Sequence, residues 1–439
     1  MFNDIPRDIR NIALSLFLYV FWRWLGWDTF FSLHINSIVD NVFWISIVSA
    51  ILSLSKMFFS ITVGEENDHT DIRSVILFNK LLYVIIGILY FLAWVTGSLT
   101  ILIISVLLNG IASAWIFTSY QAFIRKHTRQ WGRWKSFGLY FVAINMAVML
   151  GALVASVLIK YINIHVTYLF IPVFAICSFF IDKRLPNLSK TQQKKIFWKE
   201  SFLHKYMKNI FSFRSFISVV GVLKNYSSRM YYALWFEMLF SMLNYIWFIF
   251  VPIVSIANNL SLSQVAIVFA VMRFPYIIDL FVNNFSAKNS KRKILFLILL
   301  FMSLLYLVLG YNESFRNILI ITFGISLGLA LMRPIISAYV SDCINPKEEG
   351  TISWVAEFVW KAWEIIGVLL FGTLSLVFGV QWSFVFIGIL ILIISAWGLI
   401  QRYQIFGNKK TPWSDHGISW ISINETLPMT PTTQIWDVA

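Results

Sequence analysis

Twelve apolar stretches, each about 20 residues long, follow one another from residue 11 to residue 401. That is the length a hydrocarbon core of roughly 30 Å demands of a helix. They fall near 11–32, 42–63, 74–96, 98–122, 137–159, 165–182, 230–256, 264–285, 293–310, 316–341, 351–378 and 382–401. Lipid offers no hydrogen bonds to a backbone, so stretches of this length must satisfy their own N–H and C=O groups as α-helices. The expected fold class is therefore an all-α membrane protein with twelve transmembrane helices in two pseudo-symmetric six-helix bundles. Composition agrees: 59% of residues are hydrophobic and only 13% charged, against about one quarter charged in soluble domains. Mean hydropathy is +0.74. No cleavable leader is expected, because apolar residues begin by Ile12 without a small-residue cleavage site before the next charged turn. Cys177 lies in an apolar stretch and Cys343 near a helix end, a placement that does not suggest a disulfide.

Basic residues set the orientation. With the N-terminus inside, the outer turns hold only Lys160 and Arg316, while the inner segments collect most of the 35 Lys and Arg. Both termini are expected on the cytoplasmic side of a plasma or inner membrane. The net charge of +14 then belongs to that face, where it can meet anionic lipid, and does not argue for nucleic acid. The long connection after residue 182 divides the chain into 1–182, a linker 183–229, a second set 230–401 and a tail 402–439. Within the linker, Lys194–Phe211 alternates Phe197, Trp198, Phe202 and Tyr206 with Lys199, Lys205 and Lys208. This predicts an amphipathic helix on the inner leaflet. The tail from Gly407 is polar and carries Pro412, Pro428 and Pro431, a composition expected to be disordered.

The two sets repeat. Ser119–Tyr140 and Ile336–Phe358 each join an aromatic helix end, a charged turn and a glycine, Gly132 or Gly350, that opens the next stretch. Gly64–Arg73 likewise has a counterpart in Asn283–Lys293. Repeated halves are the build of many secondary transporters. At these residues the chain resembles the major facilitator superfamily, over about residues 10–401. That family's loop after the second helix reads GxLADRxGRR. Gly64, Asp68 and Arg73 match its Gly, Asp and last basic position, whereas His69 and Asp71 depart from it. In the second copy Lys288, Ser290, Lys291 and Arg292 fit, and Ala287 replaces the acid. Asn345–Gly350 is similar to the turn before helix 11, and Arg184-Leu185-Pro186 to the end of helix 6. The resemblance implies a cavity lined by helices 1, 2, 4, 5, 7, 8, 10 and 11.

Charged residues inside the stretches sharpen this. Arg23 and Asp28 lie in stretch 1, Lys56 in 2, Glu237 in 7, Arg273 and Asp279 in 8, and Arg333 in 10. Stretch 11 carries Glu357, Lys361 and Glu364, spaced i, i+4, i+7 on one helical face. Such charges are tolerated at membrane depth only toward a bundle interior, a partner or water. All fall on helices that the resemblance assigns to the cavity. Lys80 in stretch 3 is expected to snorkel to the inner surface. Arg23, Asp28, Lys56, Arg273, Arg333, Glu357 and Lys361 are the candidate substrate-binding residues, with Arg23, Arg333 and Lys361 meeting across the cavity. Glu237, ranked first, and Glu364, ranked second, are the candidates for proton coupling. Gly64, Asp68, Arg73, Asp279, Lys291 and Arg292 are assigned to gating. The bland alternative is a set of fixed ion pairs. Pro252, Pro275 and Pro334, with Gly324 and Gly328, would loosen helices 7, 8 and 10.

Enzyme readings find no support. The histidines are scattered without metal-ligand spacing, and no GxxxxGK[ST], HExxH or GxSxG motif occurs. The expected function is secondary transport of a small polar or charged solute by alternating access, coupled to protons. No cofactor or metal is expected. The partners are the solute, the lipid bilayer and the coupling proton, and the chain is expected to act as a monomer. The alternatives are multidrug efflux, suggested by Trp22, Trp24, Trp27, Trp360 and Trp363 beside the charges, and a non-transporting membrane scaffold or lipid-binding protein on the same fold.

Overall fold

The computed structural model describes residues 6–69, 72–127, 130–185, 228–277, 291–310, 314–341 and 349–406. The interfacial helix expected over 194–211, the tail from 407, Asp279 and the turn around Asn345 lie outside them.

All of the described regular structure is helical. The helices are α1 (Arg7–Val39), α2 (Val42–His69), α3 (Ile72–Thr96), α4 (Leu99–His127), α5 (Gln130–Leu158), a 3-10 segment (Ile164–Leu169), α6 (Phe170–Asp182), α7 (Ser228–Ala257), α8 (Leu262–Arg273), α9 (Lys291–Leu309), α10 (Phe315–Ser341), α11 (Glu349–Phe378) and α12 (Val380–Phe406). Ten are long and apolar enough to cross a membrane. The other two are α1, whose middle carries Arg23 and Asp28, and α8, which has 12 residues. α8 stops just ahead of Pro275, which lacks an N–H and disfavours helical backbone in the residue before it.

The outward faces identify the solvent. α3 exposes Leu81, Ile85, Ile88, Leu92 and Val95; α9 exposes Leu297, Phe301, Leu304 and Val308; α12 exposes Trp382, Phe386, Ile389 and Ile393. These are i, i+3/i+4 stripes of large apolar side chains turned away from the protein, where a water-soluble helix would be polar. The molecule is an integral, multi-pass membrane protein.

Tight turns join successive helices. Asp40 (φ 46°), Gly97 (φ 61°), Asn259 (φ 58°) and Gly379 (φ 80°) occupy left-handed backbone between α1 and α2, α3 and α4, α7 and α8, and α11 and α12. Helices joined this closely run antiparallel, so these turns share one end of the molecule. α1 packs on α5 and α6, and α3 on α4 and α6. α7 packs on α11, and α9 on α10. α2 meets α11 and α5 meets α8, which joins the first six helices to the rest. At the α1–α5 contact a Cβ on Gly151 would lie 2.5 Å from the Phe21 carbonyl oxygen, so only glycine allows this approach.

Two expectations change. The loop expected over Gly64–Arg73 is largely helix: α2 continues to His69 and α3 starts at Ile72. Lys80 does not snorkel. Its side chain is 0% exposed and lies 3.7 Å from Asp182 at the end of α6. Two buried charges thus sit on helices the resemblance places outside the cavity. Neutralising each other inside the bundle is the alternative to reaching water.

The chain divides into two compact units, Met1–Ala396 and Trp397–Ala439. The second is described only along the last turns of α12.

Candidate functional site

A cavity of about 220 Å³ lies within the first unit, walled by α1, α2, α4 and α5 on one side and α7, α8 and α11 on the other. Arg23, Asp28, Lys56, Asn145, Asn244, Arg273 and Glu364 supply its polar surface, and Trp24, Phe31, Phe117 and Phe248 its aromatic surface.

On α1, Arg23 is spoken for. Its Nη2 donates to Asp28 Oδ1 at 2.9 Å, and its Nη1 reaches the hydroxyls of Tyr19 (2.9 Å), Tyr83 (3.3 Å) and Ser113 (3.3 Å). One guanidinium therefore ties α1 to α3 and α4, using the fork of donors that makes arginine suited to such networks. On α11, Glu364 collects three donors: Lys361 Nζ at 2.8 Å, Trp360 Nε1 at 2.6 Å and, from α2, Ser53 Oγ at 2.8 Å. Glu364 is 5% exposed, and charge-assisted bonds of this number are what a buried carboxylate requires.

Arg273, the last residue of α8, is held differently. Its guanidinium carbon sits 5.2 Å from the ring centre of Trp24, 5.3 Å from Tyr276 and 6.0 Å from Phe248. Rings of this kind attract the cation by their faces but give its N–H groups no acceptor. Lys56 projects from α2 to the same cavity.

One end of the cavity is covered. Ser263 Oγ donates to the Ser156 carbonyl at 2.6 Å, and Phe30, Ala155 and Ala266 pack together with Leu33 and Ile159. Gly372 of α11 lies directly against Ser46 of α2, and Tyr245 donates to the Ser49 carbonyl at 2.9 Å. These contacts lie toward the end that carries the tight turns.

The structure thus brings Arg23, Asp28, Lys56, Arg273 and Glu364 to one cavity. Lys361 stands behind Glu364 rather than on the wall. Arg333 is exposed, 5.7 Å from the Phe141 ring and 5.1 Å from Trp360. Arg23, Arg333 and Lys361 are consequently not gathered on one wall. Glu237 is buried on α7 away from the cavity lining. Arg73 is half-buried at the start of α3, and Arg292 on α9 stacks 4.3 Å from the ring of Tyr232. The side chains of Gly64, Asp68, Lys291 and Glu357 lie outside the described residues. Of the tryptophans beside the charges, Trp24 lines the cavity, whereas Trp22 stacks on Phe174 of α6.

Sequence reasoning attended to charge and passed over the amides. Asn145 and Asn244 each interrupt a strongly apolar stretch, a signal that could have marked them. The caging of Arg273 by Phe248 and Tyr276 depends on tertiary packing and had no sequence signal.

Among known proteins, the family model of the Major Facilitator Superfamily matches residues 12–278. No curated protein matches the chain.

Proposed function

Because the chain belongs to the Major Facilitator Superfamily, we propose that it is a secondary transporter that moves a small polar or charged solute by alternating access. The observation that supports this most is the cavity: charged, aromatic, shared between two sets of helices and covered at one end. The tight turns at the covered end are the segments with few basic residues, so the positive-inside rule puts that end outside. On this reading the molecule is closed to the exterior, both termini are cytoplasmic, and the helix sets 1–182 and 230–401 rock about the cavity. The residues from Gly64 to Arg73, with Asp279, Lys291 and Arg292, would close the inner side in the opposite state.

Proton coupling is assigned to Glu364 ahead of Glu237. Glu364 accepts hydrogen bonds from both α2 and α11, so a proton on it weakens its hold on Lys361 and Ser53 and loosens the contact between the two sets. Glu237, 9% exposed on α7, is the second candidate. Efflux of lipophilic compounds draws support from the aromatic walls, but a lipophilic cation would meet more positive than negative groups there. A scaffold role would need none of these charges.

The test is a cross-link across the covered end. Ser156→Cys with Ser263→Cys, joined by a short bifunctional thiol reagent in a Cys177→Ser, Cys343→Ser background, should stop solute-driven proton flux in proteoliposomes. A reductant-cleavable linker should restore it. Full flux in the cross-linked protein would rule out alternating access through this cavity.

A further inference from the structure

Every described carboxylate on the cavity wall already has its cation: Asp28 has Arg23, and Glu364 has Lys361. The cations are not matched in return. Among the described residues, Lys56 and Arg273 make neither an ion pair nor a hydrogen bond, although both line the cavity. The Nε of Arg273 is buried without an acceptor. A cation withdrawn from bulk water and left without a counter-charge is costly, and a buried donor without an acceptor calls for a cause. A neutral side chain at either position would remove that cost, so their presence points to a ligand that supplies the missing charge.

The surroundings narrow the ligand. The Asn145 side chain makes no hydrogen bond among the described residues, and Asn244 uses its oxygen to accept from Tyr276 at 3.1 Å, leaving its NH₂ group to donate. Trp24, Phe31 and Phe248 form an apolar wall beside them. A cationic solute would find no unclaimed carboxylate among the described residues of the wall. A neutral solute would leave both cations uncompensated, and an inorganic ion would leave the rings without a partner. A zwitterion would have to part Arg23 from Asp28 or Lys361 from Glu364.

We propose that the cavity is built for a small organic anion, held between Lys56 on α2 and Arg273 on α8 with its apolar body against Trp24, Phe31 and Phe248. The two cations belong to opposite helix sets, so the bound anion draws those sets together. Only the fate of the bound anion rests on the transport reading; binding itself requires no movement.

The probe is radiolabelled benzoate, with benzamide and benzylammonium as neutral and cationic competitors of the same shape, on the purified full chain in lipid nanodiscs. Benzoate should bind saturably, and both competitors should displace it roughly tenfold more weakly or worse. Lys56→Gln and Arg273→Gln should each lower benzoate affinity by about tenfold or more. Thermal unfolding supplies a readout that a structural cation would move the other way. Without benzoate, Lys56→Gln should unfold at the same temperature as the parent or higher, and it should lose the rise that benzoate gives the parent. No saturable benzoate binding, equal displacement by benzamide, or unchanged affinity in both variants would overturn the anion site. Binding that depends on Lys56 and Arg273 in a protein that moves no benzoate across liposomes would keep the site and remove the transport reading.

Discussion

Lys56 and Lys80 are the same cation on consecutive helices, and the molecule treats them oppositely. Lys80 has no access to solvent, lies 3.7 Å from Asp182 and 4.1 Å from the Tyr19 ring centre, and belongs to a buried ionic network. Tyr120 completes it by donating to Asp182 at 2.8 Å while sharing a hydrogen bond with Ser15. Lys56 faces a cavity and is ion-paired to no carboxylate among the described residues. The difference separates charge used to hold helices from charge held ready for a ligand. α1, α3, α4 and α6 are fastened around Lys80 and Asp182, whereas among the described residues none forms an ion pair or hydrogen bond with Lys56.

The comparison breaks most visibly at Lys80. Lys80→Gln or Asp182→Asn alone should destabilise the protein by about 3–5 kcal/mol, because each leaves one buried charge uncompensated. The double variant Lys80→Met, Asp182→Leu should recover most of that loss. Denaturant unfolding of the purified variants measures both, and a single variant as stable as the parent would contradict a structural role for the pair. Arg23 stands between the two lysines, bonded through both terminal nitrogens yet on the cavity wall. Arg23→Gln should cost about 1–3 kcal/mol, less than the Lys80 variants, since Asp28 keeps access to the cavity. It should also weaken anion binding less than Arg273→Gln does. A loss of binding equal to that of Arg273→Gln would make Arg23 a ligand contact. The smallest effect belongs to Ser53→Ala, which removes one of three donors to Glu364. It should cost about 1 kcal/mol and shift the pH dependence of solute-driven proton flux. A pH profile identical to the parent's would argue against Glu364 as the coupling acid.

Much of this was legible in the sequence, for a definite reason. Apolar length reports directly on lipid, so the long helices could be read from residues alone. The charges of stretches 1, 2, 8 and 11 could be assigned to an interior because lipid forbids them elsewhere. What escaped was partnership. Asp182 reads as a residue at a helix end, and only the packing of α6 on α3 carries it to Lys80. Lys361 and Glu364 lie one turn apart on α11, but Ser53 joins them from a helix more than three hundred residues earlier in the chain. The polar run from Gly64 to His69 reads as a turn because its composition suits one, yet α2 continues through it. Local polarity does not end a helix whose hydrogen bonds can continue.

The uncompensated cations of the cavity have an electrical consequence. If the sets rock as proposed, whatever charge they enclose passes from one face of the membrane's electric field to the other. Each elementary charge taken across the full field is worth about 2.3 kcal/mol per 100 mV. Empty, the cavity carries the charges of Lys56 and Arg273; a bound monoanion cancels one of them and a dianion both. Membrane voltage would then act hardest on the unloaded return stroke, and its grip on the loaded stroke would count the charges of the cargo.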